Sequence, residues 1–529
     1  MEQKSLSHSN MARAAGMIAG MILISRILGF VRESLSGRLF VRAETDAFIA
    51  AFVIPDFMYY LLVGGALSAA FIPLFTEYLT KKEEDEGWKM ASTFINITFI
   101  ILAVLAVLGM IFARQLAPLE AYKFTGSKLI LLTNLTRLMF PAVFFTAMAG
   151  LMAGVLNSYQ YFFAPAAGPL IYNIAIIGGA YFLGTKYGIR GMAIGVVIGA
   201  FGNFVAQAYM VSRKTKGYIP FYINLRHPGF KRMLMLMLPA VLGLSATQIN
   251  IWMTNTMASG LPEGSITALR FANRLILLPL GIFAMAISTA FFPSLSRLTA
   301  EGRWDDFKKT LALGVRMILF ITVPCAIGFF FLRTDIVRIL FQGQKFTAHD
   351  TAATAYALMF YCIGLFAHGT IQILPRGFYS LKDTLTPVLT TVTGEVFSFL
   401  LNLILLRYTK LAQGGFALSF SLMGILVMTL SIIRLRKKIG SIEEKSMAKT
   451  FGLSLFASSV MGLVIYIFRF IFQHYLIGMT QSQTLQSLIM VAGGMFLGIL
   501  VFLGVAFALK MEEVKLLVNM LGRRRAKES

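Results

Sequence analysis

Two arginines lie inside the first apolar stretch of the chain, within the segment Ser25–Glu33. A charged side chain near the middle of a bilayer costs about 3 kcal/mol even on lenient scales, so its presence favours a function. Arg26 and Arg32 are six residues apart, and on a helix their directions differ by roughly 120°. Both can therefore face one broad cavity. The structural alternative is that Arg32 extends to the membrane interface and Arg26 pairs with a carboxylate.

A phosphate is the ligand that buried guanidinium groups suit best. Arginine bonds phosphate oxygens through two parallel N–H groups and stays charged in any environment. No catalytic constellation accompanies the arginines, because the histidines are scattered and Cys325 and Cys362 lack metal-ligand spacing. The pattern therefore predicts an anion-binding transporter, not an enzyme, with no cofactor and no metal.

The composition places these residues in a membrane. The chain has 529 residues, 57% of them hydrophobic and 14% charged, against about 25% charged in soluble domains. Apolar runs of about twenty residues, each long enough to cross a bilayer, recur throughout. This predicts an all-α polytopic membrane protein with about fourteen transmembrane helices, at residues 12–34, 45–79, 88–113, 127–157, 162–185, 189–212, 230–259, 264–296, 306–332, 351–379, 384–407, 413–435, 448–473 and 484–510. Pro55 and Gly64-Gly65 predict that the second helix is kinked or broken.

The basic residues cluster in loops, which explains the formal charge of +24 without nucleic-acid binding. With the N-terminus inside, 28 of the 48 lysines and arginines fall in inside loops and 12 in outside loops. This bias predicts that both termini are cytoplasmic. The amphiphilic linker Gly217–Arg232 would lie on the membrane surface and contact anionic lipids.

Eight arginines remain within the spans and few carboxylates accompany them, so ion pairs alone do not explain them. Asp46 and Asp56 would act as gates or counter-ions, although Asp56 follows Pro55 and would alternatively cap a helix that restarts there. Glu395 would pair with Arg376 or bind a coupling cation. The eight arginines are Arg26, Arg32, Arg137, Arg270, Arg274, Arg316, Arg376 and Arg469.

An internal repeat predicts the architecture. The segment 70–76 before Glu86-Gly87 matches 290–296 before Glu301-Gly302, and Ser158…Pro165 matches Ser380…Pro387, at a nearly constant offset. Six helices separate the copies, so the two halves have the same orientation and are related by an axis along the membrane normal. The predicted regions are an N-lobe at 1–212, a cytoplasmic linker at 213–232, a C-lobe at 233–437, and two further helices with a basic cytoplasmic tail at 438–529.

Several of these segments resemble the MurJ (MviN) lipid II flippases, which belong to the multidrug/oligosaccharidyl-lipid/polysaccharide exporter superfamily. The resemblance covers predicted helices 1 to 12 in order. The matching segments are Ser25-Arg26-x-x-Gly29-x-x-Arg32-Glu33, Thr45-Asp46-Ala47-Phe48, Gly65-Ala66-Leu67-Ser68-x-Ala70-Phe71-x-Pro73, Leu156-Asn157-Ser158, Phe163-x-Pro165, Ala272-Asn273-Arg274-Leu275 and Gly377-Phe378-Tyr379-Ser380.

The resemblance implies a flippase in the bacterial cytoplasmic membrane that moves undecaprenyl-pyrophosphate-linked peptidoglycan precursor from the inner to the outer leaflet. It implies alternating access, a cationic cavity between the lobes, and a lipid-tail groove at helices 13–14. By position, Arg26, Arg32, Asp46 and Arg274 match the family's site residues. A coupling cation or the membrane potential would supply the energy, and cell-wall synthesis or division machinery would be partners.

The chain departs from the family pattern in helices 2 and 8. Tyr59-Tyr60 stands where many members have an arginine pair, and Asn273 precedes the helix-8 arginine. Arg270 or Arg376 would supply the missing charge. Three alternatives stay open: a flippase for another polyprenyl-linked oligosaccharide, of O-antigen or exopolysaccharide type, which the departure supports, a cation-coupled drug exporter, and a non-transporting membrane scaffold. The arginine excess argues against the exporter, which would prefer an acidic cavity.

Overall fold

The computed structural model of the protein describes residues 8–64, 70–476 and 482–514. Over these residues the regular structure is helical throughout, which confirms the predicted all-α fold. The helices are α1 His8–Leu39, α2 Arg42–Ala50, α3 Val53–Tyr59, α4 Ile72–Thr80, α5 Glu84–Ile111, α6 Ala113–Glu120, α7 Gly126–Ser158, α8 Phe163–Gly178, α9 Gly184–Tyr187, α10 Ile189–Lys214, α11 Pro228–Ala258, α12 Ser265–Pro279, α13 Met285–Ala300, α14 Trp304–Phe341, α15 Ala348–Thr370, α16 Leu374–Ser380, α17 Leu385–Tyr408, α18 Gln413–Ile439, α19 Glu444–Ile471 and α20 Gln483–Ala508.

Eleven segments within the described residues are long and apolar enough to cross a membrane. They coincide in order with predicted spans 3–6 and 8–14. The other three predicted spans coincide with α1, with the broken segment α2–α4 and with α11. The protein is thus a multi-pass membrane protein, and the total of fourteen spans stays a prediction.

The second predicted span is broken, as expected from its proline and glycines. The helix α2 ends at Ala50, α3 begins at Val53, and a π-helical turn follows at Tyr60–Gly64. Pro55 lies in the first turn of α3, where its missing N–H removes no helical hydrogen bond. Gly65, which also contributed to the prediction, lies outside the described residues.

Two loops repeat their backbone hydrogen bonds at the offset of the sequence repeat, which supports that repeat. After α4, the N–H of Glu83 donates to Tyr78 and that of Lys82 to Leu79. At the matching positions after α13, residue 303 donates to residue 298 and residue 302 to residue 299. The left-handed residue of the first loop is Lys82 and that of the second is Gly302. The π-helical turn at Tyr60–Gly64 also has a counterpart at this offset, at Leu280–Ala284.

A second pair of loops repeats at nearly the same offset. Tyr161 donates to Leu156 and Gln160 to Asn157 in the first loop. Their counterparts at 383, 382, 379 and 378 make the same bonds. The left-handed positions are Gln160 and Lys382. Because several separate details share these offsets, the repeat extends from residue types to backbone geometry.

Residue contacts divide the chain into two compact units, and each has its own hydrophobic core. Unit 1 comprises 1–266 with 343–346, and unit 2 comprises 267–342 with 347–529. Phe71, Phe75, Trp88 and Phe94 are buried together in unit 1, as are Phe320, Leu332, Met461 and Phe502 in unit 2. Helix α11 is grouped with unit 1, whereas the repeat assigns it to the C-lobe. The predicted lobes describe repeat symmetry and stay a prediction; the tail beyond 514 lies outside the described residues.

The linker after α10 is fastened to unit 1 by the side chain of Asn96 on α5. Its Nδ2 donates to the carbonyl oxygens of Ile219 (3.1 Å) and Tyr222 (3.0 Å). Its Oδ1 accepts from the Tyr218 hydroxyl at 2.6 Å. Phe221, in the middle of this linker, is 94% exposed. An apolar side chain of this exposure favours contact with a lipid surface over contact with water.

Replacing Asn96 with alanine should release the linker. The variant loses three hydrogen bonds to one segment, so we expect chymotrypsin to cleave beside Phe221 at least about fivefold faster than in the wild type. Limited proteolysis in detergent, followed by mass spectrometry, measures this rate. The control is Thr393→Ala, whose hydroxyl only donates to Leu389 within its own helix. Equal cleavage rates for both variants would show that the Asn96 side chain does not hold the linker.

Candidate functional site

Arg32 is held in place by two side chains of unit 1. Its Nη1 donates to Oδ1 of Asn173 on α8 at 3.2 Å, and its Nη2 donates to Oε1 of Glu33 at 3.1 Å. The Arg32 side chain is 16% exposed and that of Glu33 8% exposed. Extension of Arg32 to the membrane interface, the structural alternative, stays a prediction.

Asn173 links Arg32 to the backbone of two helices. Its Nδ2 donates to the carbonyl of Ser25 on α1 (3.3 Å) and to that of Pro169 on α8 (3.0 Å). Asn173 therefore orients the Arg32 guanidinium while its own amide is bonded on both sides.

Arg26 differs from Arg32 because it is exposed and, within the described residues, makes no hydrogen bond or ion pair. It lines a cavity of about 340 Å³ in unit 1. The pairing of Arg26 with a carboxylate, which was the structural alternative, is therefore not found among these residues. The cavity lining includes segments that carried the sequence resemblance; it consists of Ile22, Ser25, Arg26, Asn157, Phe162, Pro165, Ala166 and Pro169.

Asp46 is buried at the start of α2, with a side chain that is 2% exposed. Its Oδ2 accepts from Lys128 Nζ at 3.0 Å and from the backbone N–H of Gly264 at 2.8 Å. Lys128 also lies 4.0 Å from the ring centroid of Phe124. The sequence analysis named no lysine partner, since Lys128 is distant in the chain and lies on α7.

Asp56 is not a helix cap, so the capping interpretation of this residue is wrong. The helix α3 begins at Val53 with Phe52 as the residue before it, and no side chain caps that end. Asp56 is the fourth residue of the helix. Its role as a gate stays a prediction.

Arg270 and Arg274 lie four residues apart on α12, so they share one face of this helix in unit 2. Both are half-buried. Between them Phe271 is fully buried and stacks on Phe341 of α14, with ring centroids 4.4 Å apart. Asn273 forms a hydrogen bond with the buried Tyr361 hydroxyl of α15. These two contacts fix the rotation of α12 and so the direction in which the arginines project.

Arg376 and Glu395 lie on α16 and α17 of unit 2. The Arg376 guanidinium is 5.5 Å from the ring centroid of Phe292, a distance at which a cation and an aromatic face attract. Glu395 is buried at 7% exposure. Their pairing with each other stays a prediction.

Arg316 belongs to an ion-pair cluster that the sequence analysis missed. Its guanidinium contacts Glu512 at 2.7 Å and Glu513 at 2.6 Å, and its Nε also donates to Thr450. The cluster fastens α14 to the segment after α20. The sequence places Glu512 and Glu513 in the basic tail after the last span. Nothing in the local sequence therefore indicates that they pair with an arginine of a span.

An apolar groove of about 470 Å³ lies in unit 2 between α14, α19 and α20, with the end of α12 and the π-helical turn Leu280–Ala284 on one side. Resemblance to the family placed a tail groove at these last two helices. Across the described residues, no group of three or more histidine, cysteine, aspartate or glutamate side chains could hold a metal ion. The groove is lined by Leu278, Pro279, Ile282, Phe283, Phe320, Ile321, Pro324, Cys325, Gly328, Phe329, Leu332, Ile336, Met461, Ile465, Gly494, Met495, Gly498, Ile499, Phe502 and Leu503.

Comparison with known proteins places the chain in a family. The family model described as lipid II flippase MurJ matches residues 35–487. A probable lipid II flippase MurJ of Buchnera aphidicola is 33% identical over 419 residues, which are 78% of this chain and 81% of the relative. Lipid II flippase MurJ of Burkholderia cenocepacia is 31% identical over 439 residues, covering 81% and 84%.

Solved structures agree with this placement. A structure of lipid II flippase MurJ in an inward closed conformation matches with a TM-score of 0.77 at 28% identity, over 93% of this chain and 98% of that one. An inward-facing MATE multidrug transporter matches with a TM-score of 0.67 at 16% identity, over 79% and 96%, which is a likeness of fold alone. By sequence, by family model and by structure, the chain belongs to the MurJ family of lipid II flippases.

Proposed function

We propose that this protein is a lipid II flippase that moves the polyprenyl-pyrophosphate-linked peptidoglycan precursor to the outer leaflet of the bacterial cytoplasmic membrane. Membership of the MurJ family supports transport of this lipid. The observation that carries the site is Arg26, an exposed guanidinium on a span helix that lines a cavity and has no described protein partner. An uncompensated charge at such a position is retained for a ligand of opposite charge.

The pyrophosphate is the part of this substrate that needs the protein. Arg26 and Arg32 of unit 1 and Arg274 of unit 2 are the proposed phosphate ligands, each donating two N–H groups to phosphate oxygens. Asn173 keeps Arg32 in a fixed orientation, which lowers the entropy lost on binding. Transport requires no bond to be made or broken in the lipid. Arg270, Asn273 and Arg376 are further candidates for contacts to the headgroup.

The polyprenyl chain would occupy the apolar groove between α14, α19 and α20. Its lining is hydrocarbon-like, with Phe320, Met461 and Phe502 among its residues, so a chain of isoprene units would exchange lipid contacts for protein contacts at little cost. The chain can therefore stay at membrane depth while the headgroup crosses. Alternating access, driven by a coupling cation at a site such as Glu395 or by the membrane potential, would complete the cycle.

A flippase for another polyprenyl-linked oligosaccharide is the second candidate, and one observation favours it. The family pattern has arginines in helix 2, where this chain has Tyr59 and Tyr60. Their ring centroids lie 5.2 Å apart. Tyr59 packs against the core of unit 1. The missing charge would change the contacts to the headgroup, and the glycan is the part of the substrate that differs between the two candidates.

Complementation tests the proposal. Expression of this chain in a bacterium depleted of its own lipid II flippase should restore growth, with both termini in the cytoplasm as reported by fusions. Arg26→Ala should reduce growth severely, because the phosphate site loses one of its three proposed guanidinium groups. The control is Arg190→Ala, an exposed arginine at the start of α10. Failure to complement, together with transport of another polyprenyl-linked glycan into vesicles, would select the second candidate.

A further inference from the structure

A polar cluster lies at one end of unit 2, where α14 and α19 end and α20 begins. Asp335 Oδ1 accepts from the Ser487 hydroxyl at 2.9 Å and lies 3.4 Å from Arg338 Nη1. Arg338 Nη1 also donates to the Ser487 oxygen at 3.0 Å. On the other side, Arg469 Nη1 is 3.7 Å from Asp335 Oδ2. The charge bias of the loops predicts that this end faces the periplasm.

The cluster has unused bonding capacity despite its burial. The Asp335 side chain is 8% exposed, and its Oδ2 accepts no hydrogen bond. The hydrogen bonds of the Arg338 guanidinium within the described residues involve Nε and Nη1, which leaves Nη2 without one. A buried carboxylate oxygen without a donor costs about 1–3 kcal/mol or more unless a ligand supplies one.

A cavity of about 240 Å³ adjoins these groups. Its lining combines one carboxylate, one guanidinium and three amides, and it is composed of Asp335, Arg338, Phe472, Gln473, Gln483, Gln486 and Met490. Amide and guanidinium N–H groups are donors that suit phosphate oxygens, whereas the Asp335 oxygen requires a hydroxyl or ammonium donor. The cavity therefore suits a headgroup that carries both a phosphate and a donor.

The local charge favours an anion. Arg338 and Arg469 contact a single carboxylate, that of Asp335. Arg333, whose guanidinium lies over the ring of Phe330 at 4.9 Å, interacts electrostatically with Arg469. Two guanidinium groups contact this carboxylate and a third, that of Arg333, interacts with Arg469. This leaves a positive excess at the end of a membrane helix bundle, where the phosphates of a bilayer lie.

The cavity continues the apolar groove along the same two helices. On α14, Leu332 and Ile336 line the groove while Asp335 lines the cavity. On α20, Gly494 lines the groove and Met490, one turn earlier, lines the cavity. A lipid whose chain lies in the groove would thus reach the cavity with its headgroup.

We propose that the cavity beside Asp335 and Arg338 is a second lipid site, which binds the phosphate headgroup of a lipid whose hydrocarbon chain lies in the groove. The Arg338 Nη2 and the glutamine amides donate to the phosphate, and a hydroxyl or ammonium of the headgroup donates to Asp335 Oδ2. Both a polyprenyl phosphate glycolipid and a bulk phospholipid have this chemistry. The proposal requires only a lipid in the groove, so it does not depend on the transported glycan.

Native mass spectrometry of the purified full-length protein tests the site with two probes, undecaprenyl phosphate, which supplies only the phosphate, and phosphatidylglycerol, which also supplies hydroxyl donors. Arg338→Ala should weaken binding of at least one probe about tenfold, because a charge-assisted hydrogen bond is lost. Arg338→Lys should retain part of the binding. The control is Arg407→Ala, an exposed arginine at the end of α17 and at the same predicted side.

A second variant controls for the case in which Arg338→Ala fails to fold. Gln486→Leu keeps the ion pairs of Asp335 intact and should still weaken the affected probe severalfold. If the variants lose binding of undecaprenyl phosphate alone, the site takes the transported class of lipid. If they lose binding of phosphatidylglycerol alone, the site takes a structural phospholipid. If Arg338→Ala folds and binds both probes as Arg407→Ala does, or if Gln486→Leu leaves both unchanged, the site does not exist. Growth complementation, measured in parallel, reports on the flippase function independently.

Discussion

Replacement of Arg32 with alanine is expected to abolish complementation of a flippase-depleted strain while leaving the protein folded and in the membrane. Arg32 is half-buried on α1 and bonded to Asn173 and Glu33. The proposed role requires two N–H groups presented to a phosphate in a fixed direction. Alanine removes both, and transport through a site that has lost one of its few cations should fall by about a hundredfold or more.

The size of this effect separates a ligand from a structural residue. If Arg32 only packs α1 against α8, Arg32→Lys and Arg32→Ala should both lower thermal stability in proportion to lost contacts. If Arg32 binds phosphate, Arg32→Lys should retain partial growth, because it keeps the charge and loses the bidentate geometry. Growth rate, protein abundance in membranes and unfolding temperature, measured on the same variants, resolve the two.

Arg137→Ala is the matched control for Arg32→Ala. It is also an arginine within a span helix of unit 1, but it is exposed and its Nε donates to the carbonyl of Met110 at 3.1 Å. We expect near wild-type growth from this variant. Asn173→Leu should give an intermediate phenotype, since Arg32 keeps its charge but loses its positioning partner. Wild-type growth of Arg32→Ala would exclude Arg32 from the substrate site.

Local sequence signals predicted the helices and the repeat well, because both depend on short-range physics. Apolar runs of sufficient length identified the spans, and turn residues such as Ser158 and Pro165 recurred with their loops. Helix ends were less predictable. The ninth span was predicted to end at 332, yet α14 continues to Phe341. Arg333 and Arg338 indicated a loop, but both lie within α14, where Arg338 also contacts Ser487 of α20.

Pairings between distant residues were not predictable from one sequence. Arg316 contacts two acids that follow the last helix, and Asp335 contacts Ser487 at the start of that helix. No composition or periodicity indicates which carboxylate meets which cation once the chain is folded. The sequence therefore identified the span arginines as unusual but could not separate Arg32, which is positioned, from Arg26, which has no described partner, or Arg316, which is neutralised.

The buried pair of Asp46 and Lys128 yields the second large prediction, a loss of stability with a defined order among variants. Lys128→Met should destabilise the protein by about 3 kcal/mol, because it removes a hydrogen-bonded cation from the Asp46 carboxylate, which is buried at 2% exposure. Asp46→Asn should cost less. Its amide oxygen can still accept from Gly264 N–H, and Lys128 is 19% exposed and keeps the face of the Phe124 ring.

The double variant Asp46→Asn/Lys128→Met completes the cycle and should be more stable than Lys128→Met alone, since the buried carboxylate is then replaced by a neutral amide. Denaturant unfolding in mixed micelles measures all four proteins. Lys81→Met is the control, because its pair with Glu77 is exposed and should contribute less than about 1 kcal/mol. Additive effects of the two single changes would contradict a direct interaction. Non-additive effects would instead mean that the Asp46–Lys128 pair joins α2 to α7. Because the same Asp46 oxygen accepts from the Gly264 N–H, movement of the turn at Gly264 would then disturb a buried ion pair.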